Sequence, residues 1–154
     1  MGWQERFGGD SSPMLGSQAD DEIYDYSGES VTVQARGNDD NIYLAGGDNR
    51  VSAGAGDDRV YTGLGNDLIA GEAGDDEIES GEGDDTILFN YGDGHDRLRA
   101  GEGMDTLSFG ASIAPAMLSV LLNREGQVVL QVDGGAGGSI TLLDASVDNP
   151  AGDL

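Results

Sequence analysis

The chain has 154 residues, a length that suits one domain, and sets 30 acidic residues against 7 basic ones for a formal net charge of -23. Such a polyanion repels nucleic acid and anionic membrane surfaces, which are bound through basic patches, and it attracts cations. Cysteine is absent, which excludes disulfides and thiolate metal sites. No apolar run approaches the length of a membrane span, and Met1 to Gly9 lacks the apolar core of a conventional signal peptide. Hydrophobic residues make up only 37% of a chain with 27 glycines, a composition that leans toward disorder unless something besides an apolar core stabilises the fold.

Residues 1–15 read as a lead-in whose Trp3, Phe7, Met14 and Leu15 cap the first coil. Residues 16–33 are worn copies of a repeat: Gly16 to Ile23 has its shape and carries Asp21, whereas Asp25 to Val33 lacks the acid. Ile23 to Ile42 holds one residue more than two repeats. Residues 35–88 are regular. Ile42, Val51, Val60, Ile69, Ile78 and Ile87 stand nine apart, and two positions before each is Asp40, Asn49, Asp58, Asp67, Asp76 or Asp85. Phe89 and Asn90 read as two extra residues that break the period. The pattern resumes at Gly94-His95-Asp96-Arg97-Leu98 and at Gly103-Met104-Asp105-Thr106-Leu107. Beyond Phe109 the pattern changes to apolar strands at Met117–Leu122, Gln127–Val132 and Ile140–Leu143 separated by turn signals, which predicts an antiparallel β cap. The expected organisation is a lead-in over 1–15, a repeat solenoid over 16–109, and capping strands with a frayed tail over 110–154.

A nine-residue period fits neither a helix nor a heptad; it fits a turn plus a short strand stacked into an all-β solenoid. Within each strand the middle aliphatic residue points inward and its neighbours point out. Two repeats close one coil of eighteen residues, so alternate acids align. Asp40, Asp58 and Asp76, continued by Asp96, form one column; Asn49, Asp67 and Asp85, continued by Asp105, form the other. Carboxylates one strand spacing apart repel strongly when buried, and an ion between them reverses the sign. Asp side chains together with carbonyls of glycine turns supply the hard oxygens that calcium prefers. The same period stacks Tyr43 on Tyr61 with Tyr24 nearby, and sets Arg59 beside Glu77.

Other motifs carry less. Asp39, Asp48, Asp57, Asp75 and Asp84, just before the column acids, are expected to face solvent and only deepen the negative field. His95, the single histidine, lacks partners for zinc or catalysis and reads as a turn residue. No glycine run is followed by Lys-Ser/Thr, and Asp93-Gly94-His95-Asp96 is too short for an EF-hand. With no nucleophile–base constellation, the chain is not expected to be an enzyme.

Residues 35–88 resemble the repeats-in-toxin (RTX) nonapeptide, Gly-Gly-x-Gly-x-Asp-x-aliphatic-x, and Phe89 to Leu98 is similar to the motif that follows such blocks in large type I-secreted toxins such as adenylate cyclase toxin. The segment 106–145 is similar to the flank that caps them. The resemblance implies a right-handed parallel β-roll that binds several calcium ions between successive turns. It implies ligands at Asp58, Asp67, Asp76 and Asp85, with turn carbonyls at Gly54, Gly56, Gly63, Gly65, Gly74, Gly81 and Gly83. Asn49 departs from the motif but still offers an amide oxygen, and Asp21, Asp40, Asp96 and Asp105 flank register breaks. Asn38 and Glu72 stand where glycine is expected. The resemblance further implies a monomeric module secreted from a Gram-negative bacterium through a type I exporter, unfolded in low-calcium cytosol and folded outside. The alternative is a polysaccharide-binding accessory module of a secreted carbohydrate-active enzyme. In neither case is nucleic-acid binding or membrane insertion expected.

Overall fold

A computed structural model describes residues 2–6, 13–134 and 137–146, with side chains over 13–134 and 137–144. The capping roles expected of Trp3 and Phe7, and the tail 147–154, lie outside these. The strands are β1 (Gly2–Arg6), β2 (Met14–Leu15), β3 (Asp21–Asp25), β4 (Thr32–Gly37), β5 (Asn41–Leu44), β6 (Arg50–Ala55), β7 (Arg59–Tyr61) and β8 (Leu68–Ala73). They continue with β9 (Glu77–Glu79), β10 (Thr86–Phe89), β11 (His95–Arg99), β12 (Thr106–Phe109), β13 (Leu118–Leu122), β14 (Gln127–Val132) and β15 (Ser139–Ser146). Among the described residues the helical content is a single 3-10 turn, Pro115–Met117.

Successive repeats send their strands to opposite sheets, so each sheet is built from every second strand. One sheet has nine strands in the order β1-β3-β5-β7-β9-β11-β15-β14-β13, and the other has six in the order β12-β10-β8-β6-β4-β2. Within the roll every pairing is parallel, giving a β-solenoid of about five coils. Register follows the sequence period: Ile42↔Val60 and Val60↔Ile78 in the first sheet, Val51↔Ile69 and Ile69↔Ile87 in the second. These columns face each other and are almost wholly buried.

The core is thicker than one aliphatic per repeat. Two residues beyond each column residue the strand again points inward, and Ala35, Leu44, Ala53, Thr62, Ser80 and Phe89 are buried there. The hydroxyls among them are satisfied along the solenoid: Thr62 Oγ1 donates to the Ser80 carbonyl and Ser80 Oγ to the Ala100 carbonyl, each at 2.9 Å. Phe89 is therefore not an extra residue; it ends β10 in the core and meets Phe109 edge-on with centroids 6.2 Å apart. The inserted residues are taken up just after it, where the Asn90 N–H donates to Asp93 Oδ2 at 2.6 Å and the Asp93 N–H to the Asn90 carbonyl at 3.2 Å.

The antiparallel cap forms as expected, with β13 pairing β14 and β14 pairing β15. Its attachment was not foreseen: β15 adds parallel to β11, with Asp96↔Ile140 and Leu98↔Leu142. The cap thus extends one sheet only, while the other ends at β12. Ile140 takes the next place in the Asp96 column, so the row of acids stops at an aliphatic residue.

The turns stack so closely that some positions exclude a side chain. Gly74 has φ +148°, and a Cβ there would lie 1.9 Å from the Gly56 carbonyl oxygen. Gly28 also has positive φ (+71°) but has nothing within 4 Å. Gly74→Ala should cost on the order of 3 kcal/mol or more, whereas Gly28→Ala should cost about 1 kcal/mol. Thermal melts of both variants in saturating calcium check the difference.

Candidate metal centre

From Asp40 to Asp85 each column acid is the last residue of its turn, two positions before the inward aliphatic, so its side chain turns in beneath the turn. In the first column the Asp21 N–H donates to Asp40 Oδ1 at 2.7 Å, Asp40 to Asp58 at 2.8 Å, Asp58 to Asp76 at 2.9 Å and Asp76 to Asp96 at 3.2 Å. In the second column Val31 donates to Asn49 Oδ1 at 3.1 Å, Asn49 to Asp67 at 2.7 Å, Asp67 to Asp85 at 2.8 Å and Asp85 to Asp105 at 3.0 Å. One oxygen of each carboxylate thus ties its coil to the preceding one.

The other oxygen is the informative one. Oδ2 of Asp40, Asp58, Asp67, Asp76 and Asp85 is buried without a hydrogen-bond partner. A buried, unpaired carboxylate oxygen is costly, and its natural complement is a cation. Among the described residues no three carboxylates or imidazoles converge on one point. A bound ion therefore needs main-chain carbonyls as well, a hard, mixed oxygen set that calcium accepts with six to eight ligands. Gly54, Gly56, Gly63, Gly65, Gly74, Gly81 and Gly83 all have positive φ, from +87° to +148°. Arg36, Asn38 and Glu72 are held in the same left-handed region at +89°, +69° and +75°. The backbone of the stacked turn overrides residue preference there. The residues present fit the ion.

The outlying members differ. Asp96 is buried and Asp105 half-buried, each completing its column at the cap end. Asp21 heads the first column, but Ser17 occupies it: the Ser17 N–H donates to Oδ2 and its hydroxyl to Oδ1 at 3.1 Å. Asn49 stands in the second column with its oxygen already accepting from Val31.

Burial raises five of the column acids. It pushes Asp58 and Asp96 up to about 7, and Asp40, Asp67 and Asp76 up to about 6, from an ordinary value near 3.8. Neighbouring acids raise most of them further, Asp76 and Asp40 acting on Asp58, and hydrogen bonds from the coil amides oppose the shift. A groove of about 360 Å³ runs along the outside of the first column, lined by Asp39, Asp57, Asp58, Asp75 and Asp76 with Arg59, Glu77 and Arg97.

The acids just before the columns do more than face solvent. They are exposed, as expected, but they form an outer ladder of opposite polarity. Asp39, Asp57 and Asp75 accept the N–H groups of Asp57, Asp75 and His95, each at 2.9 Å. Asp48, Asn66 and Asp84 accept those of Asn66, Asp84 and Met104 at the same distance. The sequence signal was the recurrence of Asp or Asn at this position, as regular as in the columns. His95 sits in this ladder as the first residue of β11 rather than in a turn as expected, its Nδ1 3.0 Å from Ser139 Oγ.

Residues 34–69, 52–87 and 92–111 match the family model of the RTX calcium-binding nonapeptide repeat, in 4 copies. Among curated proteins, none matches the chain. The chain carries an RTX calcium-binding repeat domain, a structural, generally non-catalytic β-roll, over these residues.

In the metal-free protein the raised acids bind protons that the unfolded chain has released. Stability without calcium is therefore greatest below about pH 4 and is lost as pH rises through 6 to 7. Calcium must displace those protons, so its affinity runs the other way. In EDTA the β signal in circular dichroism should grow on acidification from pH 8 to 4, while the calcium midpoint should weaken over the same range.

Proposed function

We propose that this chain is a calcium-gated folding module of a larger secreted protein, a toxin, adhesin or hydrolase. The observation that carries this reading is the set of five buried carboxylate oxygens without a donor, repeated at one place in successive coils. Asp58, Asp67, Asp76 and Asp85, with Asp40 and the glycine-turn carbonyls, bind several calcium ions. The columns end in Asp96 and Asp105. The lead-in 1–15 and the strands of 110–154 close the two ends of the 16–109 roll.

Without ions the stacked acids repel in a buried setting and the low-core chain stays disordered. With ions the same acids cross-link neighbouring coils, and binding energy becomes folding energy. Such a switch suits a chain exported unfolded from a Gram-negative cytosol by a type I apparatus and folded by external calcium. Among the described residues no helix is long and apolar enough to cross a membrane.

A second reading, recognition of a polysaccharide, is favoured by a row of tyrosines on the outer face of the nine-stranded sheet. Tyr43 stacks on Tyr61 with centroids 4.8 Å apart and planes 12° apart, as the period required, and Tyr24 and Tyr26 extend the row, 6.4 and 6.0 Å from Tyr43. Arg59 lies on the same sheet, 3.7 Å from Glu77, and Arg99 lies 3.2 Å from Glu79. Glycan-affinity chromatography in calcium should show retention that Tyr43→Ala with Tyr61→Ala abolishes if this face binds sugar.

For the principal reading, a far-UV circular dichroism titration from EDTA to about 10 mM calcium should show a cooperative coil-to-β transition. Magnesium should not replace calcium, because it demands tighter octahedral geometry and dehydrates reluctantly. A stable β spectrum in EDTA at pH 7.5 would sink the gating role.

A further inference from the structure

The two acid columns are not equivalent. The first reads Asp21, Asp40, Asp58, Asp76, Asp96; the second reads Val31, Asn49, Asp67, Asp85, Asp105. The second column therefore lacks a carboxylate at both of its first two places, and the valine and asparagine there are buried.

Asn49 keeps the ladder and changes what faces the gap. The Val31 N–H points at one side-chain atom at 3.1 Å, and a donor requires an acceptor, so that atom is the amide oxygen. The other atom is then the amide nitrogen. It lies 3.4 Å from the Gly46 carbonyl of its own turn and 3.4 Å from the Thr62 carbonyl of the next turn in the stack. Both bonds are long, but they connect two turns through a donor at the side-chain position where the regular repeats hold an orphaned Oδ2. A neutral N–H group pointing at carbonyls does what a cation does at the other turns, with no buried negative charge to offset.

We infer that the gap between turns 44–49 and 62–67 is closed by the Asn49 amide and takes no calcium, so that ion binding in the second column begins at Asp67. Asn49 is then a built-in replacement for an ion rather than a weak ligand, and the roll holds fewer ions on this side than on the other. The two turns are joined here by hydrogen bonds from the Asn49 amide instead of by an ion. This inference rests on the calcium reading of the regular turns.

Native mass spectrometry of the full chain in calcium, counting ions per molecule, tests it with Asn49→Asp and Asp76→Asn. Asn49→Asp should bind one ion more than the parent chain, and Asp76→Asn should bind fewer. An unchanged ion count in Asn49→Asp, with the loss in Asp76→Asn still seen, overturns the inference and leaves the calcium reading intact. Failure of Asn49→Asp to fold in calcium also overturns it, since a regular repeat is what the substitution restores. A parent chain that binds no calcium overturns both.

Discussion

The structure depends on one divided group, the column carboxylate. One oxygen accepts an amide proton from the preceding coil, and in the five regular turns the other is buried with nothing to accept from. The first bond fixes the stacking and the second oxygen makes that stacking unfavourable by itself. Geometry and electrostatics thus oppose each other in the same residue, and on the proposed reading a divalent cation between the turns aligns them. On the proposed calcium-gated reading, such a fold is assembled by its ligand.

The outer ladder completes the division of labour. Inner acids receive amide protons from the coil before and outer acids from the coil after, so each turn is tied in both directions. The outer carboxylates stay exposed and keep their hydration, so they contribute hydrogen bonds without the burial cost. Adjacent aspartates such as Asp57 and Asp58 therefore have different tasks although they are the same residue: one meets water and the other meets the interior.

The two ends of the roll show how the pattern stops. At the N-terminal end Ser17 satisfies both oxygens of Asp21, converting a column position into a closed hydrogen-bonded turn. At the C-terminal end Ile140 follows Asp96, and β15, β14 and β13 turn the sheet from parallel to antiparallel. Both devices remove the need for a further ion at an end where only one neighbouring coil exists. The interior has no such device in the first column, and the second carries an amide at Asn49.

The sequence by itself determined the roll. A nine-residue period of glycine, acid and aliphatic residue sets the turn, the strand and the inward face, and its doubling sets which residues touch. Ile42 on Val60, Tyr43 on Tyr61, and Arg59 beside Glu77 all follow from that arithmetic, because a solenoid converts sequence spacing directly into spatial neighbourhood. Only the tertiary structure decided what each atom faces. Spacing places Asp21, Asn49 and Asp76 in equivalent positions, yet Ser17 fills the first, an amide nitrogen changes the second, and the third keeps an orphaned oxygen. Spacing also counted Phe89 as an interruption, where the depth of the core made it a strand residue packed on Phe109. The attachment of β15 to β11 is likewise a long-range pairing, chosen by which apolar surface remained uncovered, and no local period encodes that.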